Sequence, residues 1–356
     1  MKVALISTTP PPVGGISRWT SRMMNMKLIN GWEIELIDDK PINRESFGDG
    51  IRYSLSNEIR RAFRVWTDLN RTLKNEEIKV VHACPIATLS SLMSTYVYSL
   101  IAHIHKKRFI AHFRCTIPNM IHSRKQILLL KMVCRNADYL MLLNSQTERY
   151  VKKLCKTDMQ VVPNFVEIDR NTKYRTINDS VKSIVYVGGV TEEKGCLDVI
   201  EIAKSFPDIQ FKMIGKAEQK VVKYADSVKN VIFLGLLDPC DVKRELDNAD
   251  IFIFLSRYPG EGFSNALVEA MGAGLPCLVT DWAANADMIG NNGGYVIPIG
   301  RPDTGVSKIT EMLPRSKREA MSKWNYEKVV KEYTAENVTR RYVEIYEMVM
   351  NFDKKN

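Results

Sequence analysis

The sequence predicts an α/β protein made of two Rossmann-like, doubly wound parallel-sheet domains of similar size. Three observations carry this. The 356 residues exceed what one hydrophobic core usually holds, so two domains are expected. Short apolar runs alternate with helical patterns through both halves, which is the signature of βαβ units. A polar stretch without helical or strand periodicity, Glu167–Ser180, separates the halves.

In the first half the strands read as KVALIST, EIELID, KVVHA, RFIAHF, YLMLLN and QVVPN. Helical spacing is expected over 17–29, 57–73, 88–104, 121–134 and 145–154. The second half repeats the pattern with SIVYVGG, FKMIG, VIFLG, IFIFLS, PCLVTD and GGYVIP as strands, and helices near 195–205, 240–248, 265–273 and 315–325. The domain bounds follow: 1–168, a linker over 169–180, a second domain over 181–334, and a terminal helix over 335–356. In such sheets ligands bind beyond the carboxyl ends of the strands, so the chemistry is expected in the strand-to-helix turns.

Composition narrows the function classes. The seven cysteines are scattered singly, with no CxxC and no zinc-ligand spacing, as in a protein of a reducing cytoplasm. The N-terminal apolar run is short and ends in prolines, unlike a secretory signal. Residues 80–105 lack Lys, Arg, Asp and Glu, but Pro85 and the many hydroxyl residues fit a strand followed by a helix better than a membrane span. The net charge of +10 is uneven: residues 1–170 hold 26 Lys and Arg against 15 Asp and Glu, a net of +11, and the remainder is close to neutral. The first half therefore suits an anionic partner.

The most informative stretch is EGFSNALVEAMGAG, residues 261–274, which follows the strand IFIFLS. A helix starting near Ser264 or Asn265 leaves unpaired N–H groups at its first turn, a ready seat for a phosphate. Ser264 is a good N-cap, and Gly262 allows close backbone approach. Glu269 lies about one turn into the helix and leans back toward that seat, where its two oxygens match the vicinal hydroxyls of a ribose. Glu261, on the other side of the phosphate seat, suits hydroxyls of a group attached to the phosphate.

EGFSNALVEAMGAGLPCLVTD resembles the E-x7-E region of GT-B glycosyltransferases, specifically the retaining enzymes of family 4 (group 1) of the bacterial surface polysaccharide type. The resemblance implies that Glu261 contacts the donor sugar, Glu269 the nucleotide ribose, and Gly262, Phe263, Ser264 and Asn265 the phosphates. SIVYVGGVTEEKG is similar to the family's first C-domain strand and turn, which assigns Gly188 and Lys194 to the donor diphosphate. Here the chain departs from the pattern: Gly189 stands where the family often has Arg. The turn after Gly235 resembles the one that contacts the base, which implies a contact at Leu236. In the first half, Gly14 and Gly15 resemble the family's GG loop, and His112 falls where the family sets a histidine against the transferred sugar. Arg114 is then available to an acceptor phosphate, and Asn164 matches the PN element before the linker. The last helix, with apolar Val338, Tyr342, Ile345, Tyr346 and Val349, is expected to cross back to the N-domain.

The resemblance thus implies an acceptor-binding N-domain and a donor-binding C-domain facing a deep cleft. It also implies a front-face, retaining transfer in which a donor phosphate oxygen takes the acceptor proton. The sugar nucleotide is a substrate, so no cofactor is implied. No D-x-D occurs to hold a divalent metal on a diphosphate, and the family is metal-independent. UDP is favoured as the nucleotide, with GDP next.

Two basic helical segments account for the charge. SNEIRRAFRVWTDLNRTLK carries Arg60, Arg61 and Arg64 beside Phe63 and Trp66, and SRKQILLLKMVCR carries Lys125 and Lys131 around a leucine run. Basic and large apolar residues on one helix read as an interfacial membrane contact or as the core-facing side of an ordinary amphipathic helix. The expected partners are a nucleotide-sugar, a glycan or lipid-linked acceptor and the anionic inner face of the cytoplasmic membrane. No recognised nucleic-acid motif interleaves the basic residues with aromatics. A non-hydrolysing sugar-nucleotide epimerase and a non-catalytic nucleotide-sugar-binding homologue remain as alternatives.

Overall fold

The computed structural model describes residues 1–11, 14–42, 55–168 and 175–352. The chain divides into two compact units, one of residues 1–164 with 335–356 and one of Phe165–Thr334.

Unit 1 is a six-stranded parallel sheet. Its strands are β1 (Lys2–Ser7), β2 (Glu33–Asp38), β3 (Ile78–Ala83), β4 (Arg108–His112), β5 (Tyr139–Leu142) and β6 (Met159–Val161). Its helices are α1 (Gly15–Met24), α2 (Leu55–Thr72), α3 (Leu89–Ile104), α4 (Ile117–Met120), α5 (Arg124–Asn136) and α6 (Ser145–Lys152). The strand order is β2-β1-β3-β4-β5-β6. Strands β3, β4 and β5 are buried almost throughout, as expected of a sheet covered on both faces.

Unit 2 holds a second six-stranded parallel sheet, order β12-β11-β10-β7-β8-β9. Its strands are β7 (Ser183–Val187), β8 (Gln210–Ile214), β9 (Val231–Gly235), β10 (Ile251–Phe254), β11 (Cys277–Thr280) and β12 (Gly294–Ile297). Its helices are α7 (Cys196–Ala203), α8 (Gln219–Tyr224), α9 (Pro239–Asn248), α10 (Asn265–Gly272), α11 (Asn285–Ile289), α12 (Pro302–Met312) and α13 (Arg315–Lys328). A π-helical turn over Val329–Tyr333 follows α13, and α14 (Ala335–Met350) then returns to unit 1.

Local sequence explains most boundaries. Thr88, Ser123 and Asn144 cap α3, α5 and α6 with side-chain oxygens that accept from the backbone N–H of the third residue on. The Ser123 cap moves the start of α5 to Arg124, later than periodicity suggests, and α1 stops at Met24, short of Ile29. Helices α8 and α11 are too short to show a period and go unread in the sequence.

The linker expected over 169–180 lies partly outside the described residues. Its described part is fixed to unit 2: the Arg175 guanidinium donates to the carbonyls of Leu246, Asp247, Ala249 and Ala273, where α9 and α10 end. Those carbonyls are the acceptors a helix end leaves open.

In each sheet the direction of winding reverses once, between β1 and β3 in unit 1 and between β7 and β10 in unit 2. Those are the positions where a doubly wound sheet opens a crevice beyond its strand ends.

Candidate functional site

In unit 2 the turns after β7 and β10 meet at the reversal point. Lys194, in the turn after β7, puts its Nζ 2.5 Å from Oε2 of Glu261, in the turn after β10. Ser256 Oγ lies 3.4 Å from the same carboxylate oxygen. The Lys194 ammonium also stands 4.6 Å from the centre of the Tyr258 ring. Backbone contacts fix the two turns to each other. Arg257 N donates to Glu193 O at 2.9 Å, and the Arg257 guanidinium reaches Asp198 at 3.3 Å. On the other side Thr280 Oγ1 donates to Ser256 O and Trp282 Nε1 to Tyr258 O. The structure therefore brings a cation and a carboxylate into contact across 67 residues of sequence, with an exposed Tyr258 beside them.

Glycine makes this approach possible. Gly195 opens α7 at φ 75°, and a Cβ there would lie 2.0 Å from Leu255 O. Gly215, after β8, faces the Gly188 carbonyl just as tightly, at 1.8 Å. Gly188 follows β7, with Tyr186 Oη donating to Gly189 O at 2.7 Å. Gly189 differs: a Cβ there would meet only Thr191 Cγ2 at 3.7 Å.

The phosphate seat read from the sequence is a capped helix start. Ser264 Oγ accepts from Leu267 N at 3.2 Å, and α10 begins at Asn265 with no acid in its first turn. The first-turn N–H groups and the helix dipole favour an anion there. Glu269 sits in α10, half-buried. Gly262 is buried, and the Phe263 ring, 6% exposed, packs edge-on to Tyr333 at 5.3 Å and belongs to the core. Leu236, just past the edge strand β9, is 76% exposed.

Gly14 and Gly15 lie in unit 1, at the start of α1. Gly14 N donates to Ser17 Oγ at 2.8 Å, and no heavy atom stands within 4 Å of a Cβ built on Gly15. Pro12 and Val13 of the same loop lie outside the described residues.

His112, at the end of β4, is fully buried in a chain of polar groups. Its Nε2 is 3.1 Å from Arg114 Nη1, its Nδ1 is 3.1 Å from His82 Nε2, and His82 Nδ1 is 2.7 Å from Tyr346 Oη on α14. Burial, reinforced by Arg114, pushes both histidines down, His82 to about 3, so both are neutral. The proton positions then follow from one fact: a guanidinium only donates. His112 Nε2 must accept from Arg114, so His112 carries its proton on Nδ1 and donates to His82 Nε2. His82 in turn donates from Nδ1 to Tyr346. His112 therefore has its basic nitrogen occupied, and a ligand takes that lone pair only by displacing Arg114.

Arg114 is itself buried. It donates to Asn164 Oδ1 at 2.5 Å, stacks 4.0 Å over Trp19, and meets no carboxylate among the described residues. Sequence reasoning missed His82, Trp19 and Tyr346 as members of this cluster, because they come from three elements far apart in the chain. The ligand atoms of His82, Cys84 and His112 lie within 4.8 Å of one another. They suit a cation poorly: the imidazoles bond each other, Arg114 adds a positive charge, and burial raises the Cys84 thiol to about 11.

At the reversal point of unit 1 a small cavity of about 10 Å³, room for one water, is lined by Asp39, Cys84, Ser91, Ser94, Thr95 and Tyr98, among others.

The basic face needs a correction. Arg61 bonds Asp39 and Glu58, each at 2.8 Å, and Arg64 donates to the carbonyls of Asp38 and Lys40. Both tie α2 to the end of β2: two carboxylates neutralise Arg61, whereas the half-buried Arg64 bonds neutral carbonyls and keeps its charge. Arg60 and Lys125 are exposed, and Lys131 is half-buried. The uncharged helix read over 88–104, which the sequence did not assign to the basic face, is α3 and packs between α2 and α5. Its Leu89, Met93, Leu100 and Ile104 lie on one helix face and are exposed, Ile104 by 77%. Phe63 of α2, 59% exposed, and Leu128 of α5 are apolar and exposed as well. Among the described residues no helix is long and apolar enough to cross a membrane.

The two units, each a parallel sheet wrapped by helices, have the GT-B fold. The whole chain superposes on sucrose-phosphate synthase of Thermosynechococcus elongatus with a TM-score of 0.79 at 14% identity, covering 99% of this chain and 100% of that one. Residues 167–328, most of unit 2, match the family described as glycosyl transferases group 1, so unit 2 carries a domain of that family. The chain is 26% identical over 229 residues to N-acetyl-alpha-D-glucosaminyl L-malate synthase of Bacillus anthracis, covering 59% of this chain and 58% of that protein. It is 25% identical over 234 residues to the UDP-Gal:alpha-D-GlcNAc-diphosphoundecaprenol alpha-1,3-galactosyltransferase of Escherichia coli, covering 58% and 59%. The chain thus spans under two thirds of the length of these curated relatives.

Proposed function

We propose that this protein is a retaining glycosyltransferase that moves a sugar from a nucleotide-sugar, a UDP-sugar in first place and a GDP-sugar next, to a lipid-linked glycan in polysaccharide biosynthesis. The observation that carries it is the Lys194–Glu261 pair, set beside the capped start of α10 at the reversal point of unit 2. The first-turn N–H groups of α10 and the Lys194 ammonium stabilise the charge that grows on the leaving diphosphate. Glu261 accepts hydrogen bonds from the donor sugar, and Glu269 from the ribose. The acceptor hydroxyl attacks on the face the phosphate leaves, and a phosphate oxygen takes its proton, so the protein's part is positioning and charge stabilisation. The E. coli relative named for a UDP-Gal donor and a diphosphoundecaprenol acceptor supports this reading. On the acceptor side, His112 belongs to unit 1.

The test is a thermal-shift screen of UDP-, GDP- and ADP-sugars, followed by transfer from the best donor to a polyprenyl-diphosphate sugar. A cognate donor at a hundred times its Kd stabilises the native state by about 2.7 kcal/mol, readily seen in Tm. Formation of an epimer without acceptor favours the epimerase. Binding without transfer favours a non-catalytic homologue. No shift with any nucleotide overturns the reading.

The protein works, on this proposal, from the cytoplasm at the inner face of the cytoplasmic membrane. The supporting observation is the exposed apolar face of α3 flanked by the exposed Arg60 and Lys125, an arrangement suited to an anionic lipid surface. Sedimentation with phosphatidylglycerol vesicles is expected for the parent and is weakened by salt. Ile104→Glu with Met93→Glu, and separately Arg60→Glu with Lys125→Glu, should each release it. No binding by the parent, or unchanged binding in both variants, refutes the membrane contact.

A further inference from the structure

In unit 2 the Lys194 ammonium has two kinds of partner. One of its three N–H donors goes to Glu261. Among the described residues no second acceptor bonds it, and its other close neighbours are aromatic rings. The centre of the Tyr258 ring lies 4.6 Å from Nζ, and that of the buried Phe254 ring 5.8 Å. A carboxylate neutralises an ammonium. A ring face attracts it through the aromatic quadrupole and leaves its charge in place.

Tyr258 is fixed for this contact. The fully buried Ser256 hydroxyl accepts from Tyr258 N at 3.3 Å and donates to Glu261 Oε2 at 3.4 Å, so one core group sets both partners of the ammonium. Trp282 Nε1 and Glu261 N both donate to Tyr258 O, at 2.7 and 3.0 Å. The ring lies against Gly260, where a Cβ would come 2.6 Å from Tyr258 Cε1, so a side chain at 260 would push the ring off its place. Under all these restraints Tyr258 is still 41% exposed, in the turn that leads into α10.

From this corner of rings and carboxylate we propose that Tyr258 is a positioning residue, which presents the Lys194 ammonium to the diphosphate of a nucleotide. The inference rests on the donor site proposed above and adds a residue to it. Glu261 and the rings hold Nζ in place, and two N–H donors remain for phosphate oxygens. Because a ring orients the ammonium without cancelling its charge, the diphosphate meets a cation already aimed at it. An aliphatic side chain at 258 removes the nearer ring and leaves the ammonium more firmly with Glu261, which weakens its hold on the diphosphate.

The experiment is calorimetry on the whole protein with UDP and with inorganic pyrophosphate, beside melting curves of each variant. Pyrophosphate carries the reading whatever base the donor bears. Tyr258→Leu is expected to weaken both ligands by the same factor, about 2- to 10-fold, the worth of a partly exposed cation–π contact. Tyr258→Phe, which keeps the ring, should bind both as the parent does. Tm should hold in both variants, because the side chain is partly exposed and its loss opens no core cavity. Parent-like binding by Tyr258→Leu would show that Glu261 alone positions the ammonium. A Tyr258→Phe protein as weak as Tyr258→Leu would assign the effect to the hydroxyl, and a loss confined to UDP would assign the ring to the nucleoside. Each of these results overturns the inference and leaves the proposed donor site standing. A parent that binds neither UDP nor pyrophosphate removes that donor site, and the inference with it.

Discussion

Glu261→Gln is expected to bind UDP more tightly than the parent while losing transfer, and Lys194→Ala to lose both. Without a donor, the Lys194 ammonium is held by the Glu261 carboxylate at 2.5 Å, both side chains mostly shielded from water. A diphosphate arriving at the α10 start must share that cation with the carboxylate. The amide keeps the shape of Glu261 and removes the competing charge, so Lys194 turns fully to the phosphate. The gain is that of a partly exposed ion pair, about 1 kcal/mol or less, which reads as a severalfold lower Kd for UDP. Transfer falls in the same variant because the sugar loses its charged acceptor. Lys194→Ala removes charge stabilisation from the leaving group, a loss of roughly 10²–10³ in kcat. Calorimetry with UDP and a radiolabelled-sugar transfer assay separate these effects. Weaker UDP binding by Glu261→Gln would show that the carboxylate supports the phosphate site instead of competing for it. Equal transfer by parent and both variants would remove the site assignment.

Gly195→Ala should be strongly destabilising. The residue sits at φ 75°, where an alanine is strained, and its Cβ would fall 2.0 Å from Leu255 O and 2.6 Å from the Leu255 carbonyl carbon. Backbone atoms at the end of a buried strand have nowhere to go, so the start of α7 must move off β10. Together, strain and clash cost about 3 kcal/mol or more, which lowers Tm by roughly 6–12 °C in a unit of this size. Nucleotide binding should fall with it, because Lys194 is the preceding residue. Gly189 supplies the contrast. It has no left-handed φ, and an added Cβ meets only Thr191 Cγ2 at an ordinary 3.7 Å. Gly189→Ala should therefore stay within about 0.5 kcal/mol of the parent. Gly189→Arg should fold equally well and tighten UDP binding by adding a second cation. Parallel melting curves check the first pair, and UDP titration the second. A Gly195→Ala protein as stable as Gly189→Ala would contradict the close packing of the β7 and β10 turns.

The amino-acid sequence by itself determined the two parallel sheets, the capped start of α10 and the chemistry of the 261–274 stretch. Each rests on local order: apolar alternation marks a strand, and Ser264 caps the helix that Asn265 begins, wherever the rest of the chain lies. The tertiary structure alone decided which groups touch. Lys194 meets Glu261 because β7 and β10 are neighbours at the winding reversal, a fact of topology that no spacing encodes. Arg61 and Arg64 looked like surface charge, yet they bond the end of β2, because a long side chain takes the nearest carboxylate or carbonyl in space. His112 reads as a sugar contact at a strand end, yet its ring nitrogens are engaged by Arg114 two residues on and by His82 from β3. The uncharged segment of α3 reads as a helix in preference to a membrane span, and only its packing between α2 and α5 reveals which face stays exposed. Local propensity and pattern act within a few residues, whereas charge pairing, proton position and exposure depend on distances that exist only once the chain has folded.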